Sequence, residues 1–126
     1  MANILVADDD HMVRQVLRTT LERAGHHVAV AGSGTEALRL MEKQAFDIAV
    51  LDVIMPEKEG IGTLIEARQK HPGMKTIMMS GGGRTGRFDY LEMAKRLGAE
   101  HTLQKPFPHK SLLDLIDLCL KDTGRR

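Results

Sequence analysis

The stretch Asp47–Pro56, DIAVLDVIMP, decides how the rest of the chain is read. Ile48, Ala49, Val50 and Leu51 form a continuous apolar run. A short run of this kind, bounded by polar residues and a proline, suits a strand buried on both faces of a parallel sheet. It ends on a carboxylate, Asp52, and Pro56 and Gly60 then turn the chain. Open α/β sheets place their chemistry at the carboxyl ends of such strands. By itself Asp52 reads first as a cap of the following turn; its neighbours along the chain change that reading.

Toward the N-terminus, Asn3–Ala7 is a second apolar run, and it ends in three acids, Asp8, Asp9 and Asp10. Asp10 is placed to cap a helix beginning near His11. Val13, Val16, Leu17, Leu21 and Ala24 recur at helical spacing, and Gly25 ends that helix. His27–Ala31 is a short strand. Ser33 to Glu36 has the capping-box form, and Ala37, Leu38 and Met41 supply the inward stripe of the second helix.

Toward the C-terminus, Ile61, Leu64, Ile65 and Arg68 mark a third helix, stopped by His71-Pro72-Gly73. Thr76–Met79 is a fourth strand closed by Ser80. Gly81-Gly82-Gly83 is a loop, since three successive glycines cost too much backbone entropy inside an element. Phe88–Leu97 is a fourth helix capped by Gly98, and Glu100–Leu103 a fifth strand. Lys105-Pro106-Phe107-Pro108 is a rigid turn before a last helix, His109–Lys121, with Leu112, Leu113, Ile116 and Leu120 inward.

Strand and helix thus alternate five times over. Short loops between them imply a parallel sheet with helices on both faces and right-handed crossovers. The expected fold is α/β, a flavodoxin-like doubly wound (βα)5 sandwich with a five-stranded parallel sheet in the order 2-1-3-4-5. In that order the first and third strands are neighbours, so Asp8, Asp9 and Asp52 converge in one crevice.

Composition narrows the function. The 126 residues sit in the single-domain range. The net charge of +1 argues against direct DNA binding, and Lys121, Arg125 and Arg126 form too small a basic cluster to change that. One Tyr, three Phe and no Trp leave no platform for stacking bases. Cys119 is the one cysteine, so no intrachain disulfide forms, which fits a reducing compartment. No apolar run approaches membrane-spanning length, so no membrane insertion and a cytoplasmic location are expected.

Three ionised carboxylates at close quarters repel one another, so either a proton or a cation sits among them. Mg²⁺ takes one or two carboxylates and completes its octahedron with water and phosphate oxygens. Ser80 and Lys105, at the ends of the fourth and fifth strands, reach the same rim and offer a hydroxyl and an ammonium to a phosphoryl group. No Walker-type glycine loop is present. An Asp can itself be the nucleophile and form an acyl phosphate.

Asp8-Asp9, Asp52 followed by Met55-Pro56 and Gly60, Ser80, and Lys105-Pro106-Phe107 together resemble the receiver domain of two-component response regulators. The resemblance runs from about residue 3 to residue 121 and implies a single receiver domain over 1–126 with no output domain. It implies that Asp52 is the phosphoacceptor and that Asp8, Asp9 and Asp52 hold Mg²⁺ with the backbone carbonyl of Ile54. Ser80 is then the switch hydroxyl, Lys105 pairs with a phosphoryl oxygen, and the Lys105–Pro106 bond is cis. The implied donor is a phosphohistidine on a sensor histidine kinase or a histidine phosphotransfer protein. The implied output is a downstream protein target or onward transfer in a phosphorelay, from a monomer or a phosphorylation-dependent dimer. Chemistry beyond self-catalysed phosphotransfer and autodephosphorylation is not implied.

Two features depart from the family. Members often carry Tyr or Phe three residues before the lysine; here Thr102 stands there, so an aromatic ring cannot relay the switch. The segment from Gly81 to Arg87 also looks longer than usual; it reads either as a surface insertion without function or as a loop whose Arg84 or Arg87 folds over a phosphoryl group. A phosphorylation-independent scaffold is the main alternative, although it would not need Asp8, Asp9, Asp52, Ser80 and Lys105 all together. A Mg²⁺-dependent Asp-nucleophile phosphatase is the other; it would want an acid two residues after the nucleophile, where Ile54 stands. His26 and His27 point to opposite faces of a strand, His11 reads as a first-turn surface residue, and Cys119 as a small helix residue. The eight methionines, Met78 and Met79 among them, read as core filler.

Overall fold

The computed structural model describes residues 1–55, 60–81 and 90–122. Pro56, Arg84 and Arg87, the expected helix start at Phe88, and Arg125 and Arg126 lie outside the described residues. In chain order the elements are β1 (Asn3–Ala7), α1 (His11–Arg23), β2 (His27–Ala31), α2 (Gly34–Lys43), β3 (Ile48–Asp52), α3 (Gly60–Lys70), β4 (Lys75–Ser80), α4 (Tyr90–Arg96), β5 (His101–Gln104) and α5 (His109–Asp122). The strands form one sheet in the order β2-β1-β3-β4-β5, with every neighbouring pair parallel. This is the flavodoxin-like arrangement that the alternation of elements predicts.

Period-two alternation divides the core between the two faces of the sheet. Leu5, Ala7, Ala49, Leu51 and Met78 meet Ala37 and Met41 of α2, Leu64 and Ala67 of α3, and Ala94 of α4. Ile4, Val6, Ile48, Val50, Ile77 and Met79 meet Leu17 and Leu21 of α1 and Leu112, Ile116 and Cys119 of α5. All five residues of β3 are buried, as its apolar run demands. Met78 and Met79 lie on opposite faces and both are fully buried.

The helix ends follow the expected capping chemistry. Asp10 accepts hydrogen bonds from the backbone N–H groups of Met12 at 2.9 Å and Val13 at 3.4 Å. Ser33 Oγ accepts from Glu36 N at 3.1 Å. The capping box is not reciprocal, however. Glu36 Oε1 accepts from Gly32 N at 2.8 Å, one residue before the cap. Gly25 and Gly98 both adopt positive φ, 97° and 109°, and turn the chain out of α1 and α4.

Some apolar periodicity misleads. Val16 and Ile65 fall on the expected stripes, yet they are 43% and 42% exposed, and Ala24 is exposed too. Thr63 and Ala67 take the inward positions of α3 instead. Arg68 turns from the helix to donate to the Gly98 carbonyl at 2.8 Å. Strand β5 starts and ends one residue later than expected, at His101 and Gln104, and backbone bonds from Glu100 N to Thr76 O and from Lys105 N to Ser80 O flank it on either side.

Candidate functional site

The parallel register sets Ala7 beside Leu51, so Asp8 leaves β1 at the level where Asp52 ends β3. Backbone bonds extend the sheet at this end. Asp8 N donates to Ala31 O at 3.1 Å, Val53 N to Met79 O at 2.8 Å, and Lys105 N to Ser80 O at 2.7 Å. The start of α3 lies close to the end of β3, since Gly60 N donates to Val53 O at 2.7 Å. A Cβ on Gly60 would come to 2.0 Å of the Asp52 carbonyl oxygen, so only glycine fits there.

These connections bring Asp8, Asp9 and Asp52 together, with one oxygen from each within 4.8 Å of the others. Asp8 is 1% and Asp52 7% exposed, while Asp9 faces solvent. Lys105 Nζ is 2.5 Å from Asp8 Oδ2 and 3.5 Å from Asp52 Oδ1. The other oxygen of Asp8 accepts from Asp10 N at 2.9 Å. The Lys105–Pro106 peptide is cis.

One ammonium does not balance three carboxylates. Burial, reinforced by the charge of Asp8 and then Asp9, pushes the Asp52 carboxyl up to about 6, although Lys105 pulls the other way. Burial also works against the Lys105 ammonium, but its bond to Asp8 and the charges of Asp52 and Asp8 raise it on balance. The crevice therefore holds a surplus of negative charge on hard oxygen donors. Such a cluster of carboxylate oxygens is the donor chemistry that a hard divalent cation such as Mg²⁺ takes.

The other expected residues are distributed around this centre. Ser80 ends β4, and its hydroxyl donates to the Gly81 carbonyl at 3.1 Å. Ile54 follows Asp52 by two residues with an exposed side chain. Thr102 is half-buried on β5, paired in register with Met78. Most of the Gly81–Arg87 segment lies outside the described residues. Of the histidines, His11 is exposed beside Arg14, and His26 Nδ1 accepts from Ala2 N at 3.1 Å. Arg14 itself was not marked out by its sequence context. Its Nη1 donates to the Asp8 carbonyl at 2.8 Å, and the available signal was its place one turn beyond the acid triplet.

Comparison with known proteins bears on this arrangement. The family model described as "Response regulator receiver domain" matches residues 4–117. The transcriptional regulatory protein CpxR of Klebsiella pneumoniae is 37% identical over 121 residues, covering 96% of this chain and 50% of that protein. The chain thus spans about half the length of the curated relatives it matches first. The solved structure of a CheY-like receiver domain protein from Methanospirillum hungatei superposes with a TM-score of 0.90 at 29% identity, covering 98% of this chain and 97% of that one. A receiver domain protein from Clostridium thermocellum gives 0.89 at 29% identity, with 98% of each chain covered. Sheet order, the crowded acid crevice and a family match over nearly the whole chain agree: the chain belongs to the response regulator receiver domain family.

Proposed function

We propose that the protein is a phosphoryl-accepting switch in which Asp52 is the phosphoacceptor. The observation that supports this most directly is a buried carboxylate at the end of the central strand, facing two further carboxylates and one ammonium. The donor is a phosphohistidine on a sensor histidine kinase or a histidine phosphotransfer protein. An Asp52 oxygen attacks phosphorus, the P–N bond breaks, and its electron pair leaves with the imidazole nitrogen. The product is an acyl phosphate on Asp52, which water later hydrolyses.

Asp8, Asp9, Asp52 and the Ile54 carbonyl would hold Mg²⁺, which supplies positive charge to the phosphoryl oxygens when bound. Lys105 is already held between Asp8 and Asp52, so it exchanges its Asp52 contact for a phosphoryl oxygen without leaving Asp8. Ser80 turns its hydroxyl from the Gly81 carbonyl toward the same group, and Thr102 on the neighbouring strand passes the change on. The output is a protein contact or onward phosphotransfer, from a monomer or a phosphorylation-dependent dimer working in the cytoplasm.

Intact-mass spectrometry after incubation with acetyl phosphate and Mg²⁺ tests this. One phosphoryl adduct is expected, lost with EDTA and in Asp52→Asn. A wild-type protein that takes up no phosphoryl group and also fails to bind beryllofluoride would hand the function to the scaffold reading.

A further inference from the structure

We propose that Arg14 is a positioning residue for the acid pair Asp8 and Asp9. The proposal rests on the metal reading above and names the side chain that sets the geometry of that site. Arg14 lies one turn into α1, and its Nη1 donates to the main-chain carbonyl of Asp8 at 2.8 Å. That carbonyl belongs to the peptide joining Asp8 to Asp9. Holding its plane sets the directions in which the two carboxylates leave the backbone.

The guanidinium is held from other sides as well. Its Nη2 stands 3.4 Å from His11 Nδ1. A Cβ on Gly32 would come to 3.1 Å of Nη1, so the guanidinium lies against that glycine. Gly32 is anchored in turn by its N–H bond to Glu36 Oε1 at 2.8 Å. One side chain therefore ties the turn after β1 to the turn after β2. Glu36 secures Gly32 rather than its own cap residue, which leaves the capping box open.

The charge of Arg14 and its bracing bond act on Mg²⁺ binding with opposite signs. A guanidinium near the crevice opposes a cation electrostatically, so removing it for charge alone would tighten Mg²⁺ binding. Removing it as a brace would loosen binding, because a displaced ligand costs affinity more than a distant charge restores.

The experiment titrates Mg²⁺ into the metal-free protein by calorimetry and follows amide hydrogen exchange before metal is added. In Arg14→Ala, Mg²⁺ affinity is expected to fall about tenfold. The Asp10 amide, which donates to Asp8 Oδ1 at 2.9 Å, should exchange faster while Val50 in the core strand keeps its rate. Arg14→Lys should recover most of both, since one ammonium can reach one carbonyl. Arg14→Met, which keeps the aliphatic stem, carries the same readouts if Arg14→Ala does not fold. Unchanged or tighter Mg²⁺ binding in the variant would overturn the proposal, as would equal acceleration at Asp10 and Val50. If the wild type binds no Mg²⁺, the metal reading falls, and exchange at Asp10 alone decides whether Arg14 braces the loop.

Discussion

The two ends of the same sheet treat charge in opposite ways. Where the strands begin, Asp47, Glu100 and Arg68 are paired off, although His101 Nε2 at the start of β5 is buried without a hydrogen-bond partner among the described residues. Asp47 Oδ2 accepts from Asn3 N at 2.9 Å. Glu100 Oε1 accepts from both the backbone N–H and the hydroxyl of Thr76, at 2.8 and 3.0 Å. Arg68 Nη1 donates to the Gly98 carbonyl and stands 3.7 Å from Glu100 Oε2. Where the central strands end, three carboxylates crowd together, Lys105 pairs with Asp8 and Asp52, and burial and the neighbouring charges push the Asp52 carboxyl up to about 6. One end is built to close the sheet. The other holds an imbalance that two buried core layers can carry, which is the usual place to find chemistry.

The largest expected effect comes from Gly60→Ala. The new Cβ would meet backbone atoms, Asp52 O at 2.0 Å and Val53 Cα at 2.7 Å, and neither can yield as a flexible side chain would. Urea denaturation should show a loss of about 3 kcal/mol. A wild-type midpoint would mean that Gly60 is not seated against the Asp52 carbonyl. Next in size is Glu100→Ala at the opposite end. It leaves the fully buried Thr76 with an unpaired N–H and hydroxyl, at a cost of about 2 kcal/mol, yet acetyl phosphate should still label the folded variant fully. Lost labelling in that variant would show that the two ends are coupled.

A smaller effect of opposite sign should come from Asp52→Asn in the metal-free protein. The folded-state carboxyl of Asp52 titrates at about 6, above its ordinary 3.8. Its contribution to stability is therefore fully present below pH 4 and is lost as the pH rises through 6. At pH 7 Asp52→Asn should be the more stable protein by about 1 kcal/mol after allowance for solvent screening, with the gap closing toward pH 4. Thermal melts across that range decide it; a gap independent of pH would remove electrostatic crowding as its cause. The smallest effect is expected from Lys70→Ala. Lys70 lies on the surface between Glu42 and Glu66, and the melting temperature should not move.

Periodicity and punctuation made most of the fold legible. The apolar runs at 4–7, 48–51 and 76–79 are strands because nothing else buries such short stretches on both faces, and the caps at Asp10 and Ser33 act within three residues of themselves. Topology then carried the reading from strands to site, since parallel order alone places Asp8 beside Asp52. Faces were less legible. Val16 and Ile65 are apolar at plausible spacing, but which side of a helix meets the sheet depends on how neighbouring helices share that surface.

The elements, their order and the identity of the converging acids could be read along the chain, because these follow from local spacing and the handedness of crossovers. Folding in three dimensions was needed to settle that Lys105 binds Asp8 more closely than Asp52, that Ser80 turns to Gly81, and that Arg14 holds the Asp8 carbonyl. The first of these contacts joins residues ninety-seven positions apart. The choice of partner in all three depends on burial, competing bonds and the exact direction of a peptide plane, none of which a linear pattern encodes.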